Sequence, residues 1–426
     1  MRTAQYLTKE RLRHLDSYKY SSVDKSFVSA YVLQPCAFMG LWQRCATLLP
    51  PWLAPNTVTL IGFSAIVINF LTVAVLSPDL ESASRWMCLS FAIGLFFYQT
   101  MDALDGKQAR ATNTSSPLGE CIDHGFDTLN TALSGLIQAC ALGLGSSWRT
   151  VLCVLLPCWT MYLSTWEEYH TGTLYLGYIN GPTEGILIAV ILFLIAAVHP
   201  LGPALWQTRA SEHVKLPLIP QATCLSDLVL IMAVTLFLTA HAPFCLLNVA
   251  KLVKIRSNRA LTSRNSVNLS DALSQLFPIA AFTVLLCAWV LSPYSSILVD
   301  HRLVEFALLV CFLYGQLSSK IIVAHLVKGP FPFSPALVFS LVPAAVGINL
   351  PAFGIYLFPP FEVLYLHVLT IIAFLSWFTS ASMVVDAFCK HLRISAFTIP
   401  LVRLDQRRRS NTALREEGLA RKTAQI

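Results

Sequence analysis

Ten apolar stretches recur along the chain, at roughly 57–77, 86–105, 120–145, 150–168, 183–199, 225–248, 270–292, 303–325, 333–357 and 362–388, with short polar segments between them. Each is of the order of the twenty residues an α-helix needs to cross a bilayer. Residues 26–48, SFVSAYVLQPCAFMGLWQRCATL, are also apolar, but Gln34, Pro35 and Arg44 interrupt them. That pattern predicts a helix lying in the membrane interface. Residues 1–25 are polar with mixed charge, and the segment after about 403 is strongly basic. The expected fold class is an all-α polytopic membrane protein, with about ten transmembrane helices and an N-terminal interfacial amphipathic helix.

Composition agrees: 426 residues, 55% hydrophobic, 12% charged, mean hydropathy +0.61. The excess of 30 Lys+Arg over 23 Asp+Glu does not point to nucleic acid, because the basic residues sit in short clusters beside apolar segments. They set orientation instead. Lys251, Lys254, Arg256, Arg259 and Arg264 crowd one loop without an acid, whereas SPDLESAS after the first span carries only acids. Ten spans then place both termini, the loop with Lys107 and Arg110, and the 249–268 loop in the cytosol. Cys88, Cys140, Cys153, Cys158, Cys245, Cys287, Cys311 and Cys389 lie in apolar segments and no CxxC pair occurs. Small buried hydrophobes are expected there, not disulfides or zinc ligands. No short apolar run with a small-residue cleavage site opens the chain, so the first span is expected to direct insertion.

Against this background the stretch MDALDGKQARATNTSSPLGECIDHGFDT, residues 101–128, is anomalous, since it sets four aspartates between apolar segments. One ionised carboxylate at a helix centre costs about 2.5–3.5 kcal/mol on the insertion scale, so four need compensation. Asp102 and Asp105 are spaced i,i+3 at the end of the second span, and Asp123 and Asp127 i,i+4 at the start of the third. Each pair projects from one helix face, about 4.5–6 Å apart along the axis. Two such faces brought together make a carboxylate cup suited to one or two hard divalent cations. Gly106 and Gly119 would let a bulky anion approach the backbone, and Lys107 and Arg110 supply positive charge that a phosphate-bearing ligand needs.

The pattern Asp102-x2-Asp105-Gly106-x2-Ala109-Arg110-x8-Gly119-x3-Asp123-x3-Asp127 resembles the signature of the CDP-alcohol phosphotransferase family at every position. The resemblance implies transfer of a substituted phosphoryl group from a CDP-alcohol to an acceptor hydroxyl, with release of CMP. It implies that Asp102, Asp105, Asp123 and Asp127 hold Mg²⁺ or Mn²⁺ as two ions, and that Gly106, Ala109, Arg110 and Gly119 contact the nucleotide. PPWLAPNTVTLIGF resembles the family's entry element, which makes Asn56 and Thr59 nucleotide contacts, although Asn56 also reads as a helix cap. The segment STWEEYHTGTLYLGYINGPTEG and the ten spans resemble the eukaryotic choline/ethanolamine branch. That branch implies CDP-choline or CDP-ethanolamine as donor, diacylglycerol as acceptor, an endoplasmic reticulum or Golgi membrane and a homodimer formed through late spans. The corresponding organisation is a cytoplasmic N-terminus and interfacial helix at 1–48, catalytic helices at 49–200, additional spans at 201–395 and a basic tail at 396–426.

Several residues remain open between roles. The resemblance makes Asp127 the general base, but a carboxylate bound to two cations is poorly basic, and His124 beside it is the other candidate. Glu167, Glu168, Tyr169 and His170 end the fourth span, with Trp166 and Tyr175 nearby, and either receive an ammonium headgroup or anchor the helix end. Glu184 lies between Gly181 and Gly185 in a tight turn. Lys320 and His325, in the eighth span, either reach toward the phosphate layer or serve the nucleotide or lipid entrance. A cation pathway would spread its acids along several spans. Here they are bunched at one end with Gly and Arg between them, which fits a docked anionic substrate.

Overall fold

The computed structural model describes residues 5–25, 37–81, 83–177, 180–213, 220, 222–259 and 268–399. In chain order the α-helices are α1 (Lys9–Leu12), α2 (Ala37–Leu48), α3 (Pro55–Leu76), α4 (Arg85–Thr112), α5 (Pro117–Ala141), α6 (Trp148–Thr171), α7 (Ile186–Val198), α8 (Ala210–His213), α9 (Leu225–Leu236) and α10 (Ala242–Arg259). They continue with α11 (Leu269–Ser274), α12 (Phe277–Val290), α13 (Leu303–Leu326), α14 (Pro335–Phe339), α15 (Val342–Gly347) and α16 (Glu362–Leu392). The sheet consists of β1 (Ser22–Asp24) and β2 (Leu174–Leu176), paired in parallel with Val23 opposite Tyr175.

Among the described residues, seven helical segments are long and apolar enough to cross a membrane. Helices stand at nine of the ten expected positions, but α5 and α6, at 25 and 24 residues, are not among the seven because each carries the polar residues of the site. The expected span at 333–357 is not one helix. It breaks into α14, α15 and a 3-10 turn at Leu350–Phe353, because Pro335, Pro343 and Pro351 each remove a backbone donor. Part of the 26–48 expectation, residues 26–36, lies outside the described residues, and α2 covers the remainder. The basic tail from 400 onward and Arg264 also lie outside them. The expected 249–268 loop begins within α10, so Lys251, Lys254 and Arg256 sit in its last turns, where cations complement the helix dipole. All eleven described cysteines are free.

Helix α13 is the centre of the bundle: 78% of its spanning window is buried, against 17% for the segment containing α16. It packs on α5, α6 and α16, while α4 packs on α3 and α7, and α5 on α3 and α6. The α5–α6 approach is close because Gly135 has no side chain; a Cβ there would stand 2.6 Å from the Cys153 carbonyl oxygen. At the end of the bundle where α5 begins, Tyr6, Leu12 and Leu15 form a second core with Leu118, Ile122, Ile322, Val384 and Phe388. The polar N-terminal segment is therefore seated across the starts and ends of α5, α13 and α16.

Candidate active site

Two helix ends build the site. Asn113, in the left-handed region at φ 53°, ends α4, and the chain turns at once into α5, whose Ser116 Oγ accepts from the Gly119 N–H at 3.3 Å with Pro117 in the first turn. This compact reversal satisfies a helix terminus and sets the two aspartate pairs side by side. Asp102, Asp123 and Asp127 each bring one carboxylate oxygen within 4.8 Å of the other two. Asp105 is turned toward α3, where its Oδ2 accepts from Thr59 Oγ1 at 2.5 Å. Tyr98 donates to Asp127 Oδ1, and Gln99 Nε2 lies 3.4 Å from Asp102 Oδ2. Asp123 Oδ1 is sealed from solvent and has no hydrogen-bond partner. A buried acceptor left bare in a three-carboxylate cluster fits a bound divalent cation, whose preferred donors are such oxygens.

The expected nucleotide contacts gather at the same end. Asn56 is not the cap of α3, since Ala54 holds that place; its amide donates to Ala396 O at 2.7 Å. Its Oδ1 would stand 3.7 Å from a Cβ on Gly119. A Cβ on Gly106 would meet only the Arg110 guanidinium, at 3.5 Å. Packing within the chain therefore does not require glycine at 106 or 119, which leaves the space beside both backbones open. Ala109 is half-buried and Arg110 exposed on the last turns of α4.

His124 is buried one turn from Asp127, and its Nδ1 lies 3.7 Å from Glu168 Oε2 on α6. Of the four residues expected at the end of the fourth span, Glu168 has its polar contact with α5. Glu167 Oε1 accepts from Asn248 at 2.6 Å, Tyr169 donates to Gly329 O at 3.0 Å, and His170 Nε2 lies 2.8 Å from Gln275 Oε1. Trp166 donates to Ala272 O and Gln275 Oε1 at 3.2 and 3.1 Å. Glu184 Oε2 accepts from Asn180 N at 3.0 Å while Asn180 Oδ1 accepts from Thr183 N at 2.8 Å, a reciprocal turn before α7. Lys320 is half-buried on α13, and His325 Nε2 lies 3.8 Å from Glu120 Oε1.

Three residues of the site, Tyr98, Tyr18 and Glu120, are not singled out by the sequence, and of these Glu120 carries a readable signal. It completes the stripe Glu120, Asp123, His124, Asp127, spaced i, i+3, i+4, i+7 on one face of α5. Tyr18 donates to Glu120 Oε2 from 102 residues away. Burial and the Glu120 carboxylate hold its phenol above the ordinary value, so it remains a donor.

Comparison with known proteins extends these observations over most of the chain. Residues 52–214 match the family model described as CDP-alcohol phosphatidyltransferase. The chain is 34% identical over 365 residues to cholinephosphotransferase 1 of Saccharomyces cerevisiae, covering 82% of this chain and 86% of that one. It is 35% identical to choline/ethanolaminephosphotransferase 1 of the same yeast, over 77% and 80% of the two chains. It is 30% identical to the human ethanolaminephosphotransferase 1, over 93% and 95%. The chain belongs to the CDP-alcohol phosphotransferase family.

Proposed function

We propose that this transferase moves phosphocholine, phosphoethanolamine or both from the CDP-aminoalcohol to diacylglycerol, releasing CMP and forming phosphatidylcholine or phosphatidylethanolamine. The observation that carries the reading is the convergence of Asp102, Asp123 and Asp127 from two helices around a bare, buried acceptor atom, beside a histidine whose ring nitrogen lies 3.7 Å from the Glu168 carboxylate. The names of the yeast and human relatives support the two donors.

Asp102, Asp123 and Asp127 would hold Mg²⁺ or Mn²⁺, with Asp105 completing the set on release from Thr59. Bound there, two such cations supply charge neutralisation of the diphosphate and of the departing CMP. Asn56, Thr59, Gly106, Ala109, Arg110 and Gly119 orient the nucleotide, with the glycines leaving room for its phosphates. Tyr98 occupies one oxygen of Asp127 and so fixes that carboxylate as a ligand. His124 is then the base that takes the proton of the diacylglycerol hydroxyl at its free ring nitrogen, while Glu168, near Nδ1, orients the ring. A second reading keeps Asp127 as base.

In this reading the site faces the cytosol of an endoplasmic reticulum or Golgi membrane, so a water-soluble donor and a lipid acceptor meet at one depth. The exposed apolar face of α16, with Leu364, Val368, Ile371 and Leu375, would contact lipid or a second copy in a homodimer. Reconstitution in diacylglycerol vesicles tests the reading: CMP and phospholipid should appear in equal amounts from CDP-choline or CDP-ethanolamine. Preference for another CDP-alcohol as donor, or for another acceptor such as inositol, would redirect it within the family.

A further inference from the structure

Outside the aspartate cluster, three side chains from three helices converge. Glu120 on α5, Glu168 on α6 and His325 on α13 each bring a ligand-type atom within 4.8 Å of the others. They form the inner wall of a cavity of about 310 Å³, whose rim carries the exposed residues His14, Lys19 and Lys328 and whose side is closed by Tyr18.

The way this chain treats another buried carboxylate shows what is missing here. Glu362, fully buried, accepts from Trp289 Nε1 at 2.8 Å, Ser295 Oγ at 2.6 Å and Ser296 N at 2.7 Å. Glu120, at 8% exposure, accepts from Tyr18 on Oε2, but its Oε1 is sealed from solvent and has no hydrogen-bond partner. That bare oxygen faces His325 Nε2 at 3.8 Å, and the carboxylate of Glu168, itself 5% exposed, is beside it. Buried acceptors cost free energy unless something donates to them or a cation sits between them.

The donor set selects the cation. Two carboxylates and one imidazole suit a borderline transition-metal dication better than Mg²⁺, which prefers oxygen alone. Atoms 3.8 Å apart can share an ion through bonds of about 2.0–2.2 Å at a wide angle. We propose that Glu120, Glu168 and His325 form a second metal site, separate from the aspartates and selective for Zn²⁺. An ion there clamps α5, α6 and α13 together beneath the N-terminal segment and takes Glu168 away from His124, so that zinc restrains the site next to it. The metal site stands apart from the proposed reaction, and the restraint rests on the proposed role of His124 and Glu168.

Calorimetric titration of Zn²⁺ into the purified full-length protein, with millimolar Mg²⁺ present to fill oxygen-only sites, tests it. One equivalent of Zn²⁺ should bind per chain, weakened at least about tenfold by Glu120→Gln and by His325→Ala and retained in Asp102→Asn. Zinc X-ray absorption on the unsubstituted protein reads the same site without a variant, and should show one imidazole nitrogen with carboxylate oxygens. No zinc uptake, uptake unchanged by His325→Ala, or sulfur ligands in the absorption spectrum would overturn the proposal. So would binding of free choline or ethanolamine in the cavity with no zinc uptake, which would make it an ammonium pocket.

Discussion

Tyr98 on α4 donates its hydroxyl hydrogen to Oδ1 of Asp127 on α5, tying the two helices together at the floor of the aspartate cluster. The contact removes one of that carboxylate's oxygens from other work and fixes the direction of the second. Tyr98→Phe should therefore lower turnover on the order of tenfold, the scale of one hydrogen bond to a charged group. It should also raise the metal concentration that gives half-maximal CMP release. Unchanged metal dependence would show that the tyrosine only fills space.

Asp102→Asn and Asp123→Asn each replace an acceptor oxygen in the three-carboxylate cluster with a donor. Turnover should fall by about 10²-fold or more, the range seen when one group that stabilises developing charge is removed. Thermal stability in detergent should hold or rise, because a mutual repulsion is relieved. A variant with near-normal turnover would remove that residue from the metal set.

His124 and Glu168 should behave as a unit. His124→Ala should cost about 10²–10⁴-fold in turnover, the usual contribution of a positioned base, and Glu168→Gln less. The double variant should lose little beyond His124→Ala, since an orienting group has nothing left to orient. Additive losses in this cycle would separate the two residues, and a nearly normal His124→Ala would return the base role to Asp127.

Gly135 lies at a close approach of α5 and α6, with the Cys153 carbonyl oxygen and Val154 Cα at 2.6 and 2.8 Å from where a Cβ would be. Backbone atoms cannot yield as a side-chain tip can, so Gly135→Ala should destabilise the protein by about 1–3 kcal/mol. The same separation carries His124 away from Glu168, so the melting temperature and turnover should fall together. A stable variant with full activity would contradict the geometry of this helix pair.

The aspartates were legible because chemistry and helical spacing coincide: i,i+3 and i,i+4 acids between apolar runs admit few other readings. Glu120 is equally legible by spacing, although it occupies a variable position of the pattern, between Gly119 and Asp123. The four consecutive residues Glu167 to His170 illustrate the opposite limit. Successive side chains turn about 100° around a helix, so they diverge to α10, α5, Gly329 and Gln275. No local pattern encodes which of them meets His124. Tyr18 and His325 reach Glu120 from 102 and 205 positions away, and such pairings follow from tertiary packing alone. The break at 333–357 was written in the chain, since three prolines in an apolar run announce it.

The most direct test of the catalytic account is CMP release by purified protein in diacylglycerol vesicles, with CDP-choline and CDP-ethanolamine in parallel, under Mg²⁺, Mn²⁺ and EDTA. CMP should be released from at least one donor, matched by phospholipid formed, abolished by EDTA and restored by adding back the cation. Folded protein that releases no CMP from either donor, or releases it unimpaired in EDTA, would contradict that account.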